Sequence, residues 1–189
     1  MKKRAFVNRY LTLGAWLAAG CLLSPVAVAT PHQTLMPTFE AATTTQIASL
    51  EQQAWEQRMA PRLARFVSSA ALRTLILRRT YQEASLAGLP PELMLALMEV
   101  ESAFKPSAVS SAGTVGLMQI MPFWIDELGL AADNLKDPAR NLRYGCTILA
   151  HYLAVENGDF TRALARYNGS LGQTWYPERV MRAWQQHWR

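Results

Sequence analysis

The sequence predicts an all-α domain, and three observations lead there. Apolar side chains recur at helical spacing in several stretches. No stretch keeps up the two-residue alternation of a half-buried strand. Pro, Asp and Gly punctuate the chain where helices would start and stop. Of the 189 residues, 50% are apolar and 17% charged, enough for one sizeable core and too apolar for a disordered chain.

Residues 1–29 read as an export signal: Lys2, Lys3 and Arg4, then the apolar run Tyr10–Leu23, then Ala27-Val28-Ala29 as a small-residue cleavage pattern. The run is short for a membrane span. Two further readings are an uncleaved anchor and a lipoprotein box, Leu17-Ala18-Ala19-Gly20-Cys21, that would attach a lipid at Cys21. Export places the mature chain in the periplasm, with an outer-membrane lipoprotein as second choice. Residues 1–29 hold four of the nineteen basic side chains and none of the acids, the first of which is Glu40. The formal charge of +5 is therefore mostly signal, the remainder is nearly neutral, and a nucleic-acid partner is not expected. Without Cys21 only Cys146 remains, expected to be a buried small hydrophobe.

Residues 30–45, rich in Thr, Pro and Ala, read as a linker. Residues 46–79 form an N-terminal helical region in which Pro61 is expected to separate two helices. A sharper helix starts at Pro90-Pro91 and closes before Pro106. Residues 106–122 form a Ser/Gly-rich loop with room for a minor β-turn or hairpin. A short helix is expected near Phe123–Gly129, and a longer one from the Asp137-Pro138 cap to about Glu156. Asp159 caps another, ending near Asn168 with Gly169 as its left-handed stop, and Pro177 opens the last.

Projected at about 100° per residue, the helix after Pro91 gathers Leu93, Leu97, Val100 and Phe104 into one stripe. Glu101 falls inside this apolar face, whereas Glu92 and Glu99 fall opposite and read as a solvated side. A carboxylate facing a core is costly, so its pKa should rise, which suits a general acid. The competing reading is a buried ion pair with Arg140 or Arg143. Placement in the last turn, at the mouth of the loop, favours a cleft.

Four blocks then occur in order: Glu101-Ser102-Ala103-Phe104; Ser110 to Pro122 with Gly116-Leu117-Met118-Gln119; Asn141-Leu142-Arg143-Tyr144-Gly145; and Ala165-Arg166-Tyr167-Asn168-Gly169. Together they resemble the soluble lytic transglycosylase (SLT) family, enzymes with a lysozyme-like α-helical domain that cut peptidoglycan. The resemblance covers residues 80–189. It implies Glu101 as the catalytic acid, and Ser110, Met118, Gln119, Tyr167 and Asn168 as substrate contacts. Tyr167 would bond either Glu101 or a sugar. The chain departs from the family at Ser111, where Pro is usual, at Ile148, where a cleft Tyr is usual, and at Gly169, where Ala is usual.

Ordinary glycosidases use two carboxylates, yet no Asp or Glu lies between Ser102 and Ile125. The resemblance implies instead that Glu101 serves first as acid and then as base. The muramic N-acetyl group acts as nucleophile, and a 1,6-anhydro end forms without water. One alternative is a lysozyme-type hydrolase with Asp126, Asp133 or Asp137 as second carboxylate. Another is a non-catalytic peptidoglycan-binding assembly protein. No cofactor or metal is expected: His32, His151 and His187 are isolated and no zinc spacing occurs. Peptidoglycan strands are the expected partner, with an envelope-spanning assembly as a further one.

Overall fold

A computed structural model describes residues 32–128 and 134–189, with side-chain environments from residue 46 onward. The reading of residues 1–29 as a signal, Cys21 included, lies outside the described residues. Seven α-helices follow in order: α1 (His32–Leu63), α2 (Ala70–Leu86), α3 (Pro91–Ser102), α4 (Phe123–Glu127), α5 (Pro138–Val155), α6 (Phe160–Asn168) and α7 (Trp175–Ala183). A π-helical turn, Trp184–Trp188, closes the chain. Among the described residues there is no strand. Within the 106–122 loop only two isolated antiparallel bridges form, Val109 to Val115 and Val115 to Ile120. The fold is all-α. No described helix is long and apolar enough to cross a membrane.

Residues Ala42–Arg189 make one compact unit. The stretch expected to be a linker is helical from His32, Pro37 included. Pro61 does not divide two helices. It lies in the last turn of α1, which the bond from Ala64 N–H to the Ala60 carbonyl still completes. The break falls at residues 64–69. There the Arg73 guanidinium donates to the Val67 and Ser68 carbonyls at 2.8 and 2.7 Å, and Ser69 caps α2 through the Leu72 N–H. The boundary expected between residues 79 and 80 lies inside α2. Trp55, Met59 and Leu63 share one core with Leu93 and Leu97, so the boundary marks where the motif blocks begin and not a change of packing.

The caps read from the sequence are present. Asp137 accepts from Arg140 N–H at 2.8 Å, Asp159 from Arg162 N–H at 3.0 Å, and Gly169 takes the left-handed conformation after α6. The last helix starts two residues before Pro177, which occupies its first turn, where a missing N–H costs nothing.

α3 is the central helix, with Leu93 through Met98 all buried. It packs against α2, α7 and the terminal π-turn. Glu92 and Glu99 are therefore part-buried and bonded to protein groups, where the wheel projection put them on a solvated side. Glu92 accepts from the Trp55 indole at 2.7 Å, and Glu99 accepts from the Trp188 indole at 2.8 Å and faces His187 Nδ1 at 2.8 Å. A wheel separates apolar from polar sides, but it cannot register indole donors arriving from distant parts of the chain. Trp188 is fully buried against Phe66 and Phe104, so it packs and does not offer a sugar platform. Cys146 is buried and free of any disulfide, and burial holds its thiol far above its ordinary value, consistent with an inert hydrophobe.

Candidate active site

A cleft of about 560 Å³ opens where the end of α3, the 106–122 loop, α5 and the end of α6 meet. Its position follows from how α3 stops. Ala103 and Phe104 both adopt left-handed backbone angles, φ 48° and 60°, which turn the chain sharply outward. The buried Phe104 ring anchors that turn against Trp188, and the Ser102 hydroxyl donates to the Leu117 carbonyl at 2.7 Å, tying the helix end to the loop. Glu101, one residue before that tie, lines the cleft.

Glu101 is partly buried, and its Oε1 accepts a hydrogen bond from the Tyr176 hydroxyl of α7. Burial raises the Glu101 pKa above the ordinary 4.5, and the Tyr176 bond and the positive charge of Arg179 offset part of that rise. Tyr176 is itself buried, and burial together with the neighbouring Glu101 charge keeps its phenol protonated, a fixed donor. The competing reading of an ion pair with Arg143 does not hold: the Arg143 guanidinium donates to Glu83, at 3.0 and 3.1 Å.

The loop presents a small polar network. Thr114 Oγ1 donates to Gln119 Oε1 at 2.5 Å, and Ser110 Oγ lies 2.7 Å from the same hydroxyl while accepting from Thr114 N–H at 3.1 Å. Gln119 Nε2 donates to the Gly116 carbonyl at 2.9 Å, which turns the amide back onto its own loop. Ser110, Thr114 and Gln119 all line the cleft. Thr114 was not singled out in the sequence, where a threonine in a Ser/Gly-rich loop carries no signal.

Behind the loop stands Asn141, fully buried at the start of α5. Its Oδ1 accepts from Met118 N–H at 2.7 Å, and its Nδ2 donates to the Val115 and Leu135 carbonyls, each at 2.8 Å. Gly116, at φ 85°, lets this amide approach; a Cβ there would lie 2.2 Å from Asn141 Nδ2. Met118 is a correction to the sequence reading. Its side chain is wholly buried and does not line the cleft, because it fills the space left by Gly145, where a Cβ would lie 2.2 Å from its sulfur.

Tyr167 and Asn168 line the cleft from the end of α6. The Tyr167 hydroxyl does not bond Glu101: it donates to the Met118 carbonyl at 2.7 Å. The phenol that bonds Glu101 is Tyr176, outside every motif block. On α5, Ile148 lines the cleft at the departure from the family Tyr, and one turn further Tyr152 adds a phenol of its own. Phe123 and Trp124 extend this wall, stacked at 5.3 Å, with Trp124 edge-on to Tyr152 at 6.0 Å.

Among the described residues lining the cleft, Glu101 is the one carboxylate. Asp126 is exposed on α4, Asp137 is spent as the α5 cap, and Asp133 lies outside the described residues. No described group of three or more His, Cys, Asp or Glu side chains could hold a metal ion.

A family model described as the transglycosylase SLT domain matches residues 80–184, more than half of the chain. The chain belongs to the SLT family. Among curated SLT-like relatives, a transglycosylase of Enterobacteria phage PRD1 is 35% identical over 101 residues, which is 50% of this chain and 37% of that protein. The endo-type membrane-bound lytic murein transglycosylase A of Klebsiella pneumoniae is 36% identical over 83 residues, 38% of each. The membrane-bound lytic murein transglycosylase C of Actinobacillus pleuropneumoniae is 60% identical over 35 residues, 18% of this chain and 10% of that protein. The matches thus span well under half the length of these relatives. Among solved structures, an inactive variant of the lytic transglycosylase Slt from Pseudomonas aeruginosa aligns with a TM-score of 0.44 at 31% identity, covering 58% of this chain and 18% of that one.

Proposed function

We propose that this SLT-family chain is a lytic transglycosylase that cleaves the β-1,4 bond between N-acetylmuramic acid and N-acetylglucosamine in peptidoglycan, acting in the bacterial envelope. One observation carries the reading: a partly buried carboxylic acid, raised in pKa, is the one described carboxylate lining a sugar-sized cleft. Glu101 starts protonated and delivers its proton to the leaving glycosidic oxygen. The muramic N-acetyl carbonyl oxygen attacks C1 of its own sugar as that bond breaks. Glu101, now a carboxylate, takes the proton from the C6 hydroxyl, whose oxygen closes on C1 and releases the acetamido group. The proton given in the first step is recovered in the second, and no water is consumed.

Tyr176 positions Glu101 and tempers its basicity between the two steps. Ser110, Gln119 and Asn168 are the polar groups proposed to hold the sugars, and Thr114 keeps Ser110 and Gln119 in register. Tyr167 acts through the loop, by fixing the Met118 carbonyl, and not on the substrate. The hydrolase alternative lacks support from Asp126 and Asp137, neither of which lines the cleft. Digestion of purified sacculi followed by mass spectrometry tests the proposal, since an anhydro end is lighter by one water than a hydrolysed end.

A further inference from the structure

The cleft also holds a cation that the mechanism does not use. Arg166, in the last turn of α6, lines the cavity and keeps its side chain 34% exposed. A basic residue at a helix C-terminus has an ordinary role there, balancing the helix dipole. Its hydrogen bonds show something more. Arg166 donates Nε–H to Glu156 Oε1 at 2.6 Å, and its Nη2 donates to the same oxygen. The other oxygen, Oε2, accepts from Arg162 Nε at 2.5 Å. One buried carboxylate therefore answers two guanidiniums, and the group as a whole keeps one positive charge.

The division of labour differs between the two arginines. Arg162 is exposed and does not line the cleft, whereas Arg166 does. Among the described residues, no acceptor meets Arg166 Nη1. Glu156 thus fixes one edge of a rigid planar cation and leaves Nη1 available to an incoming anion. A guanidinium immobilised in this way loses little freedom on binding and matches a carboxylate better than an ammonium would. Arg166 also acts on the right part of the cleft. Its charge bears on the Tyr152 phenol, while the cation bearing on Glu101 is Arg179. Arg166 and Glu101 line the same cleft and are held by separate partners, so Arg166 can meet a part of the substrate other than the reacting bond.

We propose that Arg166 is a carboxylate-recognising group of the cleft, which makes it prefer glycan strands bearing carboxylates over uncharged amino-sugar polymers. The inference rests on the peptidoglycan reading above and deepens it. In that substrate a carboxylate comes either from the lactyl group of a bare muramic acid or from the stem peptide.

The test measures calorimetric affinities of the Glu101→Gln protein, in which turnover is blocked, with and without Arg166→Met. Three soluble ligands are used: peptide-bearing strands, strands stripped by an amidase to expose the lactyl carboxylate, and stripped strands whose carboxylates are methyl-esterified. The expected result is about a tenfold weakening by Arg166→Met for at least one anionic ligand, and less than about twofold for the esterified one. Loss confined to the stripped strands assigns the lactyl source; loss confined to the peptide-bearing strands assigns the peptide. Arg166→Lys should fall between, keeping the charge without the planar fork. Arg162→Met removes the other partner of Glu156 and should leave all three affinities unchanged. An equal loss for esterified and anionic strands, or no binding of any strand, overturns the proposal. Turnover by the otherwise native protein is measured on sacculi in parallel. Cleavage without charge-dependent affinity sinks Arg166 alone; charge-dependent affinity without cleavage sinks the catalytic reading alone.

Discussion

The Tyr176 hydroxyl donates its hydrogen bond to Glu101 across 75 positions of sequence, joining the end of α3 to the start of α7. That bond favours the charged form of Glu101, while burial favours the neutral form more strongly. Removing the hydroxyl with Tyr176→Phe takes away the smaller, opposing influence. The alkaline limb of the activity profile, where Glu101 loses the proton it must donate, should move to higher pH. Activity at the optimum should drop about tenfold through lost positioning. Rates on solubilised peptidoglycan across pH check this. A drop with an unmoved limb would show that Tyr176 does not tune the acid.

The same burial makes Glu101 a liability for stability at higher pH. The folded protein holds a proton above the ordinary 4.5, where the unfolded chain releases it. The stability linked to that proton is complete below the unfolded value and is lost as the pH rises through the folded one. Gln cannot ionise. Glu101→Gln should therefore melt with the native protein near about pH 4 and increasingly above it as the pH is raised. Thermal melts at a series of pH values measure the gap; a constant gap would contradict the buried-acid description.

Asn141 joins the Met118 N–H to the Val115 and Leu135 carbonyls with one amide. Asn141→Ala leaves these buried groups without partners, and about 3 kcal/mol of stability should be lost. Gly116→Ala strikes the same point from the other side, by driving a methyl group into that amide at a positive φ. Denaturant unfolding should rank both among the costly substitutions. A loss of under about 0.5 kcal/mol for Asn141→Ala would mean that the loop holds itself.

Thr114 bonds both Ser110 and Gln119, so Thr114→Val should loosen two proposed sugar contacts while leaving the acid untouched. KM should rise about threefold to tenfold, with kcat changed less than about twofold. Steady-state kinetics separates the two. A fall confined to kcat would place Thr114 in the chemistry and not in binding.

The helices were legible where the chain carries its own punctuation. Asp137, Asp159, Gly169 and the proline pair before α3 act within one turn of themselves, so their effect is local and visible in sequence. Glu101 stood out because it interrupts an apolar stripe. The readings of Glu92, Glu99 and Met118 failed for one shared reason. Their environments are set by Trp55, Trp188 and Gly145, residues brought in by tertiary packing. Tyr176 and Arg166 escaped notice as site groups for the same cause. Tyr176 lies outside every motif block, and Arg166 lies inside one but acquires meaning only once Glu156 is seen to hold it.

The central claim is that one carboxylic acid carries the whole reaction. It is met most directly by incubating purified sacculi with the native protein and with Glu101→Gln, then weighing the soluble muropeptides by mass spectrometry. The native protein should release fragments with 1,6-anhydromuramic ends, and Glu101→Gln should release at least about a hundredfold fewer. Fragments heavier by one water, or undiminished release by Glu101→Gln, would contradict the account.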